Sequence, residues 1–434
     1  MGRRGWRPAW VEVDLAAVSH NAALLAGLAG PAALGAVVKA DGYGHGSVDV
    51  ARAAVDGGAT WLAVALVEEG VVLRDAGITA PILLLSEPPA GAVAEAVARN
   101  LVPTVYTGHG IRSVAAAAAA AGAQLPVHLK IDTGMHRVGA GPAEAVSLAD
   151  LIGTQASVTL QGVWTHLAVA DGTTEGDLRF TDEQLARFDA SLAELAVAGH
   201  RPVLVHAANS AGTIAHPRAR RDLVRCGIAV YGELPNPGHQ ALLADATGGR
   251  RLQPSLSLKA QVTYVRELAE GERPSYGRRR PLSERSVVAT APIGYADGVP
   301  RRLFECGGQV LVGGIRRPLA GMVTMDQIII DCGPPGPTAP AVGDEVVLIG
   351  RQGDATVSAT EWADLLGTIS YEVLCGIGPR VPRVLTNPRA RSTDIHADTD
   401  TDPDPDPDPD PPAPSSPDRQ SAPAPAPAPG GGSR

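Results

Sequence analysis

The sequence predicts an α/β protein: an N-terminal (β/α)8 barrel over residues 1–247, a mainly antiparallel β domain over 248–390, and a disordered Pro/Asp-rich tail over 391–434. Three observations carry that expectation. Short apolar runs alternate with longer helix-like stretches through roughly the first 245 residues. After about residue 250 the apolar runs are bounded by Gly and Pro, with few helical stretches among them. From about Thr393 the apolar content fades into Asp-Pro and then Ala-Pro repeats.

The alternating part holds eight strand candidates, at residues 35–38, 61–65, 82–85, 102–106, 127–131, 160–164, 203–205 and 223–225. The spacers at 16–28, 48–56, 67–76, 92–99, 111–121, 142–151 and 182–198 carry apolar residues at three- and four-residue intervals, which places them on one helix face. Thr181-Asp182-Glu183-Gln184 reads as a helix start, with carboxylates near the positive end of the dipole. Eight consecutive strand–helix units point to a closed barrel, with an open doubly wound sheet as the alternative that the same alternation allows. Further along, runs at 258–265, 286–292, 309–312, 327–331 and 345–349 read as strands of the β domain. One helix is expected at 358–366, opened by Ser358 as N-cap. In the tail, proline at alternate positions leaves nothing to bury, so an extended, disordered segment is expected.

With 434 residues, 44% apolar but only 3% aromatic, the chain must build its core from Ala, Val, Leu and Ile. The net charge of −9 is concentrated in the tail, where nine aspartates and three arginines leave about −3 for the rest. A near-neutral body argues against nucleic acid as the main partner. The start, Met-Gly-Arg-Arg-Gly-Trp, has no apolar stretch behind it, so no signal peptide is expected. No apolar run reaches the length of about 18 residues that a membrane span needs. Four scattered cysteines, Cys226, Cys306, Cys332 and Cys375, lack metal-ligand spacing and are expected as reduced thiols of a cytoplasmic protein without a metal.

Chemistry gathers at the predicted C-terminal ends of the barrel strands, where catalytic groups of such barrels lie. The first strand delivers Lys39 into Val-Val-Lys-Ala-Asp-Gly-Tyr-Gly-His-Gly, an amine at the head of a glycine-rich turn. Lysine is the residue that forms Schiff bases with aldehyde cofactors. Lys130 and Asp132 close the fifth strand and lead on to Arg137, His166 ends the sixth, and His206 ends the seventh and opens His-Ala-Ala-Asn-Ser with Asn209 and Ser210. Arg225 ends the eighth and runs into Cys-Gly-Ile. Loops after the last two strands commonly bind phosphate in barrels, and here Ser210 and the Gly227-Ile228 backbone offer donors. A phosphate-bearing aldehyde held by a lysine describes pyridoxal 5'-phosphate.

These residues carry a resemblance. Val-Lys-Ala-Asp-Gly-Tyr-Gly-His-Gly, Lys-Ile-Asp-Thr-Gly-Met-His-Arg-Val-Gly, Thr-His, His-Ala-Ala-Asn-Ser, Arg-Cys-Gly-Ile, Gly-Tyr-Ala-Asp-Gly and Met-Asp-Gln occur in the order found in bacterial alanine racemases, and nearly all of residues 6–386 resembles that family. The resemblance implies interconversion of L- and D-alanine, with the D-isomer supplied to peptidoglycan. It implies that Lys39 binds the cofactor aldehyde and serves as one of two bases. It gives the other base as Tyr295, reaching across a homodimer interface. His166 and Arg225 are implied to support that tyrosine, and Arg225 also to face the pyridine nitrogen. Tyr43, Ser210, Gly227 and Ile228 fall to the cofactor phosphate, and Arg137 with the Met325 backbone to the substrate carboxylate. Lys130, His206, Asn209 and Asp326 are implied as supporting residues, with Lys130 either carbamylated or an ordinary salt-bridging lysine. A serine or broad-specificity racemase of the same family is the nearest alternative. A related decarboxylase or a non-catalytic cofactor-binding protein is more remote. Two departures stand out. Pro379 takes the place of a frequent tyrosine that helps hold the phosphate, and Met322 that of a frequent arginine at the substrate entrance, which is expected to be less charged as a result.

Overall fold

A computed structural model describes residues 6–387; the expected disordered tail lies outside the described residues. The eight expected barrel strands are present as β2 (Ala33–Val37), β3 (Trp61–Val64), β4 (Ile82–Leu84), β5 (Thr104–Val105), β6 (Leu125–Lys130), β7 (Val158–Trp164), β8 (Leu204–His206) and β9 (Leu223–Cys226). They pair in parallel as two four-stranded arcs, β4-β3-β2-β9 and β5-β6-β7-β8. One junction is a parallel bridge between Leu83 and Val102. At the other, Asp222 N–H donates to Val205 O at 3.0 Å and Arg225 N–H to Ala208 O at 2.9 Å. Paired on both edges, the strands form a closed barrel and not an open sheet. Its wall is a near-continuous set of buried Val, Leu, Ile and Ala, as buried parallel strands require.

The strand at Ala9–Asp14, β1, falls within the segment assigned to the barrel from sequence but does not join it. It pairs antiparallel with β10 (Leu256–Gln261) and parallel with β18 (Arg383–Thr386) in the sheet of the β domain. The reason is in its pattern: Ala-Trp-Val-Glu-Val-Asp alternates, with Val11 and Val13 buried and Glu12 and Asp14 less so, suiting a sheet covered on one face. The described chain therefore runs from the sheet of the second domain through the barrel and back.

The expected strand at 258–265 is two strands. Residues up to Gln261 belong to the sheet of β1, whereas β11 (Tyr264–Leu268) pairs with β12 (Ser286–Ala291), which pairs in turn with β15 (Ile328–Asp331). The larger sheet is completed by β13 (Gln309–Val312), β14 (Ile315–Pro318), β16 (Glu345–Gln352) and β17 (Ala355–Val357). The helix Ala359–Leu366 starts where expected, with Ser358 Oγ accepting from Glu361 N–H at 3.0 Å. The long helix of the barrel starts earlier than expected, at Glu175, because Thr174 and Asp177 form a reciprocal capping box there. Thr181, read as its start, is a buried residue of its second turn. A second short helix of the β domain, Ser370–Cys375, was not expected and packs against the turn that carries Lys39.

Candidate active site

Beyond β2 the chain enters a left-handed turn. Ala40, Asp41, Gly42, Tyr43 and Gly44 have φ of 52°, 51°, 61°, 52° and 80°. Left-handed backbone costs about 1–2 kcal/mol for each non-glycine residue, and three of the five are not glycine. Such strain persists only where the surroundings over-determine it. Here Ser47 N–H donates to Asp41 Oδ1 at 2.9 Å, Arg383 Nε donates to Gly44 O at 2.8 Å, and a Cβ on Gly44 would meet Leu374 O at 2.8 Å. The Tyr43 ring packs tilted against Tyr231, centroids 4.8 Å apart, and the Tyr231 hydroxyl donates to Val37 O at 3.0 Å. Lys39 stands at the head of this turn. Its amine has no hydrogen bond or ion pair among the described residues, and burial, then the charge of Arg137, pushes its pKa down.

Lys130, at the end of β6, is the second rim lysine. It is buried, its ammonium lies 4.4 Å from the Trp164 ring centroid, and burial followed by Arg137 and Arg225 lowers its pKa to about 7. Asp132 is held at the start of the next loop by Gly134 and His136 N–H groups, each at 3.0 Å. Burial works against its charge, but those donors keep its carboxyl below the ordinary range. At the end of β7, His166 is held well below the usual imidazole value by burial and by Arg225, so it is neutral at physiological pH.

Arg225, at the end of β9, is buried among these groups. It donates to Thr165 O at 2.8 Å, to Ala207 O at 3.1 Å and to His206 Nδ1 at 2.8 Å, and lies 4.4 Å from the Trp164 ring centroid. Burial lowers its pKa to about 9, which leaves the guanidinium charged at neutral pH. Because a guanidinium can only donate, His206 must accept at Nδ1 and carry its proton at Nε2. That Nε2 then donates to His128 Nδ1 at 2.9 Å, and His128 Nε2 donates to Gln161 Oε1 at 3.1 Å.

The loops after β8 and β9 meet beside Tyr43. Gly227 N–H at 2.9 Å and Ala229 N–H at 3.4 Å both donate to Ser210 Oγ. Asn209 caps the short helix that follows, accepting from Gly212 N–H at 2.9 Å. A Cβ on Gly227 would lie 2.3 Å from the Tyr43 hydroxyl, so this approach excludes any side chain. Lys39, Tyr43, Lys130, His166, Ser210, Arg225 and Gly227 thus occupy neighbouring ends of the barrel strands, joined by the contacts and charges above.

Tyr295, Met325 and Asp326 lie on loops of the β domain, and no hydrogen bond, ion pair or ring contact among the described residues brings them to Lys39. Tyr295 and Met325 are 42% and 52% exposed. Their loops are bonded through Tyr295 N–H to Thr324 O at 2.9 Å and Ala296 N–H to Met325 O at 3.0 Å. Beneath them Asp297 is fully buried. It receives both terminal nitrogens of Arg7 at 2.7 Å and Gly294 N–H at 3.0 Å, with Arg380 Nε at 3.4 Å. Arg380 also donates to Asp326 at 2.6 Å.

The family models for the N-terminal and C-terminal domains of alanine racemase match residues 13–235 and 255–385. The chain belongs to the alanine racemase family. A curated alanine racemase of Symbiobacterium thermophilum is 47% identical over 379 residues, 87% of this chain and 97% of that protein. One of Thermobifida fusca is 43% identical over 378 residues, 86% of this chain and 97% of that protein. Among solved structures, the alanine racemase of a D-cycloserine-producing Streptomyces lavendulae superposes with a TM-score of 0.81 at 37% identity, covering 89% of this chain and 98% of that one. The Bacillus anthracis alanine racemase solved with bound L-Ala-P gives a TM-score of 0.80 at 36% identity, covering 88% of this chain and 96% of that one. The activity is that of an isomerase, an alanine racemase.

Within this alanine racemase fold, one expectation needs revision. Met322 does not face an entrance in the chain: its side chain is buried in the β domain and its carbonyl accepts from Ser275 Oγ at 2.7 Å. Tyr276 escaped notice in the sequence, yet it is 72% exposed on a turn bonded to the Met322 loop. That turn is strained: Ser275 has φ 67° and ψ −176°, a region close to glycine-only, followed by Gly277 at φ 75° and Arg278 at φ 47°. Gln184 was also missed. Buried in the helix Glu175–Val197, it donates to His166 O at 3.2 Å and Thr133 Oγ1 at 3.3 Å and accepts from Ala168 N–H at 2.8 Å, tying the loops after β6 and β7 together.

Proposed function

We propose that the chain racemises alanine on pyridoxal 5'-phosphate as a cytoplasmic homodimer, supplying D-alanine for peptidoglycan. The residues fit this cofactor. An unpartnered lysine of lowered pKa suits its aldehyde, the donors around Ser210 and Gly227 with the Tyr43 hydroxyl suit its phosphate, and Arg225 suits its ring nitrogen. Bound there, pyridoxal phosphate supplies the electron-withdrawing ring that makes the substrate Cα–H acidic.

Everything else falls to the chain. Lys39, partly desolvated, takes or returns the Cα proton on one face. Arg225, charged and fixed by three acceptors, presents a donor that cannot be given up, so it would hold the ring nitrogen of a bound pyridoxal phosphate unprotonated and limit the electron withdrawal that the ring supplies. Arg137, whose charge acts on Lys39, Lys130 and His166, is assigned to the substrate carboxylate, with the Met325 backbone. Carbamylation of Lys130 would place an anion beside Arg137.

Inversion needs a second base on the opposite face, and an exposed tyrosine of the β domain is the source we assign, acting on the partner's barrel. The resemblance gives Tyr295 this role. Its turn is firmly held: Gly298 closes it at φ 107°, Gly294 N–H donates to the buried Asp297 at 3.0 Å, and Tyr295 N–H donates to Thr324 O at 2.9 Å.

The observation that carries the proposal is the convergence of an unpartnered Lys39 with a buried, charged Arg225. Its test is the purified, cofactor-loaded protein with L-alanine as substrate. Wild type is expected to abolish the optical rotation, and Lys39→Ala to lose both the bound-cofactor absorbance and the activity. A Lys39→Ala protein that still racemised alanine would refute it.

A further inference from the structure

Glu69 touches no substrate-facing atom, yet both of its carboxylate oxygens are engaged at the root of the lysine turn. Oε2 accepts from Ala65 N–H at 2.8 Å and Leu66 N–H at 3.1 Å. Those bonds serve the start of its own helix, Val67–Asp75, and any acidic residue in a first turn could make them. Oε1 does something different. It accepts from Ala40 N–H at 2.6 Å, the shortest of the three contacts and the only one from another strand–helix unit. Ala40 follows Lys39 directly and is the first residue of the left-handed run, at φ 52°.

We infer that Glu69 is a positioning residue for Lys39, clamping the first strained residue of the left-handed turn to the neighbouring barrel loop. The inference rests on the reading of Lys39 as the cofactor-binding lysine and extends it to what holds that lysine in place. The geometry makes the clamp specific. Strands β2 and β3 are paired in register up to Val37 and Ala63, and beyond that point their chains diverge into different loops. Glu69 bridges the two loops just past the divergence. At the far end of the turn Arg383 plays the matching part, donating to Gly44 O at 2.8 Å and to Gly378 O at 2.7 Å. The turn is thus held at both ends by charged side chains, an acceptor at its first N–H and a donor at its last carbonyl. The Glu69 carboxylate also acts on the Lys39 amine with a sign opposite to that of Arg137, supporting the protonated form.

The test compares Glu69→Ala and Glu69→Gln with wild type in the full-length protein. The readouts are amide hydrogen exchange of peptides covering residues 38–45 and 67–75, with kcat and KM for L-alanine alongside. Glutamine keeps an amide oxygen for Ala40 N–H, whereas alanine keeps nothing. The expected result is an increase of about tenfold in exchange of the 38–45 peptide in Glu69→Ala, substantially reversed in Glu69→Gln, with kcat falling in the same order and KM changing less. A role limited to starting the helix would instead move only the 67–75 peptide. Wild-type exchange of 38–45 in Glu69→Ala would overturn the inference, and so would identical behaviour of the two variants. Because exchange is read without turnover, failure of the clamp is distinguishable from failure of the racemase reading.

Discussion

Arg225 and His206 are bound through Nη1 and Nδ1 at 2.8 Å, and that contact dictates the tautomers of two buried histidines in succession. His206 and His128 are both kept neutral, each chiefly by burial, His128 with its pKa lowered to about 4. Protonating His206 would abolish the acceptor that the guanidinium uses, protonating His128 would abolish the one that His206 Nε2 uses, and either would add positive charge near Arg225.

Acid should therefore destabilise the fold through these groups. A histidine with a folded pKa near 4 and an unfolded value near 6.5 binds fewer protons folded than unfolded between those limits. Stability is then fully present above about pH 6.5 and declines as pH falls towards 4. The expected loss is on the order of a few kcal/mol, followed by urea unfolding at pH 7 and pH 4.5. His128→Gln should flatten part of that slope, and a slope identical to wild type would show that His128 titrates normally. His45, fully buried with a pKa also near 4, accounts for part of what remains.

Asp297→Asn should cost about 3 kcal/mol or more, since it leaves the part-buried Arg7 without its bidentate partner. The same change should lower activity, because Asp297 supports the turn that carries Tyr295. Urea midpoints and initial rates check the two effects separately. An unchanged midpoint would mean that Arg7 finds water or another acceptor.

The barrel was legible because its strands are compact β-branched or alanine-rich runs set between stretches of helical period. The rim residues were legible because lysines, histidines and arginines at the ends of apolar runs have few other reasons to be there. What stayed hidden depends on long-range partners or backbone dihedrals. The alternation of Trp10 to Asp14 marks a strand, but its neighbours at Leu256–Gln261 and Arg383–Thr386 are hundreds of residues away. Ser275-Tyr276-Gly277 reads as an ordinary turn until the φ of Ser275 is known. Gln184 and Glu69 lie on helices whose polar faces look solvent-directed in sequence, although Gln184 is buried and Glu69 reaches the neighbouring loop.

Lys130 should react with carbon dioxide. With a pKa of about 7, a large fraction of its amine is neutral at physiological pH and able to attack the carbon, losing a proton as the carbamate forms. Below pH 6 protonation should suppress the reaction. Wild type equilibrated with 13C-bicarbonate at pH 8 should give a carbamate resonance that is absent in Lys130→Arg and fades on acidification. Active wild-type protein without that resonance would leave Lys130 an ordinary lysine.

Tyr295 and Tyr276, two of the exposed tyrosines of the β domain, should separate kinetically. Tyr295→Phe should keep the bound cofactor and lower kcat by about 100-fold or more, the range typical of a lost general base. Tyr276→Phe should change kcat far less. If the larger loss of kcat falls instead on Tyr276→Phe, Tyr276 is the second base.

The central claim is that the two bases come from different subunits, and complementation tests it most directly. Lys39→Ala and Tyr295→Phe chains, each inactive alone, are co-expressed so that mixed dimers form. A mixed dimer has one site built from an intact lysine of one chain and an intact tyrosine of the other. With random pairing, about half of the dimers are mixed and each has one working site, so about a quarter of the wild-type specific activity should return. An inactive mixture, with mixed dimers confirmed by two affinity tags, would contradict the claim.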